Sequence, residues 1–145
     1  MRTQAEIKEL CKIGYKHGSS NPIDGLDCLT FILYYLSKYK DIQLDISTSK
    51  YADDWYDKTP DVYIKGVIEY CDMLAYKPAM VIEEDTILFF SNMPNVPITH
   101  AGIYIGNGKI LHCLDIRGVS QHKLRLCSNS LRYIGTIKKD KLGDE

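Results

Sequence analysis

The stretch His100-Ala101-Gly102-Ile103-Tyr104-Ile105-Gly106-Asn107-Gly108-Lys109-Ile110-Leu111-His112 holds two apolar, β-branched runs on either side of an Asn-Gly pair. That pattern predicts a β-hairpin with a histidine at each outer end. Its register determines what those histidines can do. A two-residue turn at Asn107-Gly108 pairs Ile105 with Ile110 and sends His100 and His112 to opposite faces. A three-residue loop closed by Gly108 pairs Ile105 with Lys109, Tyr104 with Ile110 and Gly102 with His112. Then His100, Gly102, Tyr104 and His112 share one face, with the histidines as diagonal neighbours. The bulged loop is adopted here, because only that register lets the two imidazoles meet.

Working outward, Thr86 to Phe90, Thr99 to Ile105, Lys109 to Leu114, Gly118 to Leu124 and Arg132 to Ile137 read as short strands. The first half of the chain reads as helices. Thr3-Gln4-Ala5-Glu6 is a capping box opening a first helix with Ile7, Leu10, Cys11 and Gly14 on its stripe, expected to end near His17-Gly18. A polar turn segment, Ser19 to Gly25, follows. A second helix from Cys28 to Tyr39 is apolar nearly all round and so central. Lys40 to Thr59 reads as a long loop with one helical turn near Asp53 to Tyr56. Thr59-Pro60 opens a third helix with Ile64, Val67, Ile68, Cys71, Leu74 and Ala75 as its buried stripe. Helices first and a mostly antiparallel sheet of about five strands afterwards make an α+β fold, expected as a single domain over 1–145.

Composition narrows the function classes. The 145 residues carry a net charge of −1, with no basic field to hold nucleic acid or an anionic membrane. No apolar run reaches membrane-spanning length, and the polar start MRTQAEIKEL is no signal peptide. The expected location is the cytoplasm of the producing cell. The five cysteines, Cys11, Cys28, Cys71, Cys113 and Cys127, leave at least one thiol free and suggest no disulfide framework. Cys11 and Cys71 fall on apolar faces of expected helices, where cysteine is ordinarily a small core residue.

Cys28 is different. It opens the central helix in Gly25-Leu26-Asp27-Cys28-Leu29-Thr30-Phe31-Ile32-Leu33, where unpaired N–H groups and the positive dipole end favour a thiolate. His100 could take the thiol proton and return it to a leaving amine, and His112 could fix the orientation of His100. The Cys28 backbone N–H is a natural oxyanion donor. The chemistry implied is acyl transfer through a thioester, with no cofactor. Zinc is disfavoured: there is no Cys-x-x-Cys or His-Glu-x-x-His, and the adjacent His112 and Cys113 point to opposite faces. His17 and His122 read as surface or pocket-edge residues, and Glu83-Glu84-Asp85 as a solvated loop. Tyr34, Tyr51, Tyr56 and Tyr63 are candidates to line a groove, with packing as their ordinary role.

Taken in order, Tyr15-Lys16-His17-Gly18, Gly25 to Cys28, Thr86 to Phe90 and the hairpin block resemble the NlpC-type cell-wall peptidases, compact papain-like cysteine hydrolases, over about Tyr15 to Leu124. The resemblance implies Cys28 as nucleophile, His100 as base and His112 as the third polar residue. It sets Tyr15 beside the nucleophile, with Asp27, Leu29 and Gly102 around the substrate pocket and oxyanion site. The implied substrate is a peptidoglycan stem peptide. Leu29-Thr30 stand where the family commonly has Ser-Gly, and Asp85-Thr86 where it has Gly-Asp. The segment from Lys40 to Lys77 is a longer insertion than usual. A small member with no wall-binding repeat or export signal also resembles a phage protein or a machine-exported effector, with virion or secretion partners. The alternatives are a tail-assembly component on the same fold, and an amidase or acyltransferase on another substrate.

Overall fold

The computed structural model describes residues 1–44, 46, 60–91 and 98–138, with the side chains of 60–63 excepted. The expected turn near Asp53 to Tyr56, the Thr59 cap and the side chains of Tyr51, Tyr56 and Tyr63 lie outside these residues. Among the described residues three helices come first: α1 (Gln4–Leu10), α2 (Cys28–Lys40) and α3 (Pro60–Ile68). Six strands among the described residues follow: β1 (Cys71–Ala75), β2 (Ile87–Phe90), β3 (His100–Gly106), β4 (Lys109–Leu114), β5 (Gly118–Lys123) and β6 (Leu131–Ile137). They form one antiparallel sheet in the order β1-β6-β2-β3-β4-β5. The α+β architecture is as the sequence implies.

Helix α2 is central, as its composition requires. Leu29, Phe31, Ile32 and Tyr35 are fully buried. They pack with Ile87 and Phe89 of β2, Ala101, Ile103 and Ile105 of β3, Leu111 and Cys113 of β4 and Val119 of β5. Each such large side chain contributes about 1.5–3 kcal/mol by leaving water. The helix starts at a second capping box: the Asp27 carboxylate accepts from Thr30 N–H at 2.8 Å, and Thr30 Oγ1 accepts from Asp27 N–H at 2.8 Å. It stops at Asp41, whose left-handed backbone (φ 54) ends the helical path.

Three expectations are corrected. First, α1 ends at Leu10, not near His17, and Cys11 is exposed. The Ile13 carbonyl instead accepts from Val119 N–H at 2.9 Å, and the Gly14 carbonyl from Leu26 N–H at 2.9 Å, so these groups tie the segment to β5 and to the run before α2. Second, α3 ends at Ile68, and Cys71–Ala75 is a sixth strand rather than more helix. It pairs residue by residue with β6, from Cys71–Ile137 to Ala75–Tyr133. Leu74 is accordingly 61% exposed rather than part of a buried stripe. Third, Asp85 is not solvated: it accepts from Tyr35 Oη at 2.6 Å and faces Lys40 at 3.6 Å.

The hairpin combines features the sequence presents as alternatives. Asn107 (φ 54) and Gly108 (φ 71) are both left-handed, as a two-residue type I′ turn requires, and Gly106 pairs with Lys109. Yet Tyr104 pairs with Ile110, because Ile105 is an extra, bulged residue. The expected Ile105–Lys109 pair therefore does not form. One inserted residue restores the face on which His100, Gly102 and Tyr104 lie alongside His112.

Candidate active site

Asp27 organises the mouth of α2. Besides capping Thr30, its second carboxylate oxygen accepts from Gly18 N–H at 2.8 Å, and His17 Nδ1 lies 3.8 Å away. Tyr15 forms a parallel bridge with Leu26, and Gly25 makes that approach possible. Gly25 has φ 118, and a Cβ there would lie 2.9 Å from the Tyr15 carbonyl carbon. Cys28 is the first residue of the helix and is 2% exposed. Leu29 points into the core at 0% exposure, so its side chain lines no pocket. Behind the helix mouth, Cys113 donates its thiol proton to the Leu26 carbonyl at 3.0 Å.

The histidines lie on the sheet face away from α2. His100 Nε2 and His112 Nδ1 are 2.8 Å apart, with ring centroids 5.0 Å apart. Phe90, paired with His100 across β2 and β3, packs its ring against both. Gly102 is needed between them: a Cβ there would lie 3.1 Å from His112 Cβ and 3.0 Å from the Leu111 carbonyl oxygen. A third histidine, missed as a pocket-edge residue, joins the chain. His112 Nε2 and His122 Nδ1 are also 2.8 Å apart, their rings nearly perpendicular at 85°. Its signal was register: His122 pairs with Ile110, two residues from His112 and on the same face.

Burial dominates the electrostatics. It lowers the His100 ring to about 4, and it lowers His112 to about 3 with help from the neighbouring His100 and His122. Both rings are neutral at pH 7. Burial also raises the Cys28 thiol, and the charge of Asp27 raises it further, while the Ala101 and Leu29 backbone amides pull the other way. The pull of the helix terminus toward a thiolate is outweighed by burial, which favours the neutral thiol. Tyr15 is raised to about 12, by burial first and then by Asp115, Asp27 and Cys28. Cys28 meets β3 at Ala101, the residue after His100, so the helix mouth and the histidine pair converge on one strand end.

The NlpC/P60 family pattern matches residues 12–136, spanning the helix mouth, the hairpin and the sheet. The chain belongs to the NlpC/P60 family. Solved structures agree at the level of fold. The NlpC/p60 domain of the peptidoglycan hydrolase SagA superposes with TM-score 0.60 at 16% identity, covering 92% of this chain and 94% of that one. An NLP/P60-family protein similar to a lipoprotein, from Staphylococcus aureus, gives 0.58 at 20% identity, and NlpC2 from Trichomonas vaginalis gives 0.59 at 20%. This chain spans 39% and 44% of the lengths of those two proteins. Among curated proteins none matches the sequence.

In this NlpC/P60 chain a groove of about 270 Å³ opens beside the histidines, lined among others by Phe90, Ser91, Thr99, His100, His112 and Cys127. Its lining is largely apolar and carries the His100 and His112 imidazoles. Among the described residues no cluster of side chains has the arrangement to hold a metal ion, and no helix is long and apolar enough to cross a membrane.

Proposed function

We propose that this chain is a cysteine peptidase or amidase that hydrolyses an amide bond of a peptidoglycan stem peptide. The observation that carries the reading is the 2.8 Å contact between His100 Nε2 and His112 Nδ1, beside the strand end that Cys28 abuts. With Nε2–H donated to His112, His100 keeps a lone pair on Nδ1, which is what a base for a neutral thiol needs.

Cys28 Sγ attacks the carbonyl carbon as His100 Nδ1 takes the thiol proton. The negative charge formed on the carbonyl oxygen is received by the Cys28 backbone N–H. Cys28 is the first helical residue, so its amide has no intrahelical acceptor, and the Asp27 carboxylate is already engaged by Thr30 and Gly18. The tetrahedral adduct collapses to a Cys28 thioester as the imidazolium gives its proton to the leaving amine. Water then attacks the thioester, His100 takes the water proton, and that proton returns to the departing thiolate. Tyr15 supports the helix mouth, and Gly102 sets the spacing of the two histidines.

Family membership and the fold shared with a peptidoglycan hydrolase domain support a cell-wall peptide as substrate. Digestion of purified muropeptides by the wild type and by Cys28→Ala tests this. The wild type should release a new amine and the variant none. A wild type that releases no amine, or a variant as active as the wild type, would overturn the assignment.

A further inference from the structure

We infer that His122 is a positioning residue that sets the direction of the proton chain and so leaves Nδ1 of His100 unprotonated. The inference rests on the hydrolase reading above and extends it one residue beyond the third polar group.

The argument is one of proton counting. His112 uses both ring nitrogens, Nδ1 toward His100 and Nε2 toward His122, each at 2.8 Å. A neutral imidazole has a single N–H, so His112 must donate on one side and accept on the other. Two arrangements satisfy the chain. In one, His112 Nε2–H donates to His122 Nδ1, His112 Nδ1 accepts from His100 Nε2–H, and His100 Nδ1 carries a lone pair. In the other, His122 Nδ1–H donates to His112 Nε2 and His112 Nδ1–H donates to His100 Nε2. The single proton of His100 then sits on Nδ1, where it blocks removal of the thiol proton. The choice is made at the far end of the chain.

His122 is suited to make it. It sits on β5, an edge of the sheet among the described residues, and is only half-buried, whereas His112 is 6% exposed. Free neutral imidazole side chains prefer the proton on Nε2, which leaves Nδ1 as acceptor. Held by the Ile110–His122 pairing, that acceptor faces His112 Nε2. Both ring nitrogens of His112 are engaged, by His100 and by His122, so its tautomer follows His122.

Nitrogen-15 NMR of the histidine rings in the wild-type protein at neutral pH tests the chain directly. The expected pattern is His112 protonated at Nε2 and bare at Nδ1, and the reverse pattern overturns the inference. Kinetics on muropeptides supply the second arm. His122→Phe keeps the packed ring and removes the acceptor, and should lower kcat about 10- to 100-fold with KM little changed. His122→Asn, whose Oδ1 can accept from His112 Nε2–H, should restore kcat to within about threefold of the wild type. Wild-type kcat in His122→Phe, or an Asn variant as impaired as the Phe variant, overturns the inference. If His122→Phe fails to fold, the wild-type spectrum and the Asn variant still decide. Failure of the hydrolase reading shows separately, as a wild type inactive on muropeptides whatever the ring spectrum.

Discussion

Asp27 serves α2 and opposes the nucleophile beside it. Its carboxylate caps the helix and holds the Gly18 amide, yet its charge works against ionisation of Cys28. Asp27→Asn separates the two roles, since one amide oxygen can still cap Thr30 while the charge is gone. The variant should alkylate faster at Cys28 at pH 7 than the wild type. It should also lose about 1–3 kcal/mol in denaturant unfolding, because the Gly18 N–H would face an amide donor in a site only 1% exposed. An unchanged alkylation rate would remove Asp27 from the account of the thiol. At this scale the place of Cys28 at the helix mouth and the meeting of His100 with His112 were legible from local signals. The charge state of the thiol was not, because desolvation depends on what α2 packs against and not on its own residues.

At the scale of elements, the hairpin shows where sequence reading runs out. The Asn107-Gly108 turn and the same-face histidines were each readable, but they looked exclusive. The bulged Ile105 that reconciles them depends on how β3 pairs with β4. The same holds for β1, whose Cys71, Leu74 and Ala75 also fit a helical stripe until β6 pairs with them. His122 was hidden for a related reason, since its face depends on two successive strand registers. Gly102 is the place where the element scale meets chemistry. Gly102→Ala should push β4 and His112 away from His100 and lower kcat about tenfold or more, since a misplacement near 1 Å can cost a hundredfold. Circular dichroism should show the sheet intact. Full activity in that variant would mean the 2.8 Å contact is not needed.

Across the whole molecule, the buried histidines link function to stability. His100 and His112 titrate near 4 and 3 in the folded chain, against 6.5 when exposed. Between about pH 6.5 and 4 the unfolded chain therefore binds more protons than the folded one, so stability falls as pH is lowered through that window. Thermal unfolding should show this decline, and His112→Gln should make it shallower; an equally steep decline in the variant would assign it to other groups. The account as a whole depends on a covalent intermediate on a single thiol. The most direct measurement is mass spectrometry of the protein acid-quenched during turnover of muropeptides, followed by mapping of any adduct. The account predicts a transient acyl group on the peptide containing Cys28 and on no other cysteine. Amine release with Cys28 unmodified throughout, or an adduct confined to another cysteine, would contradict it.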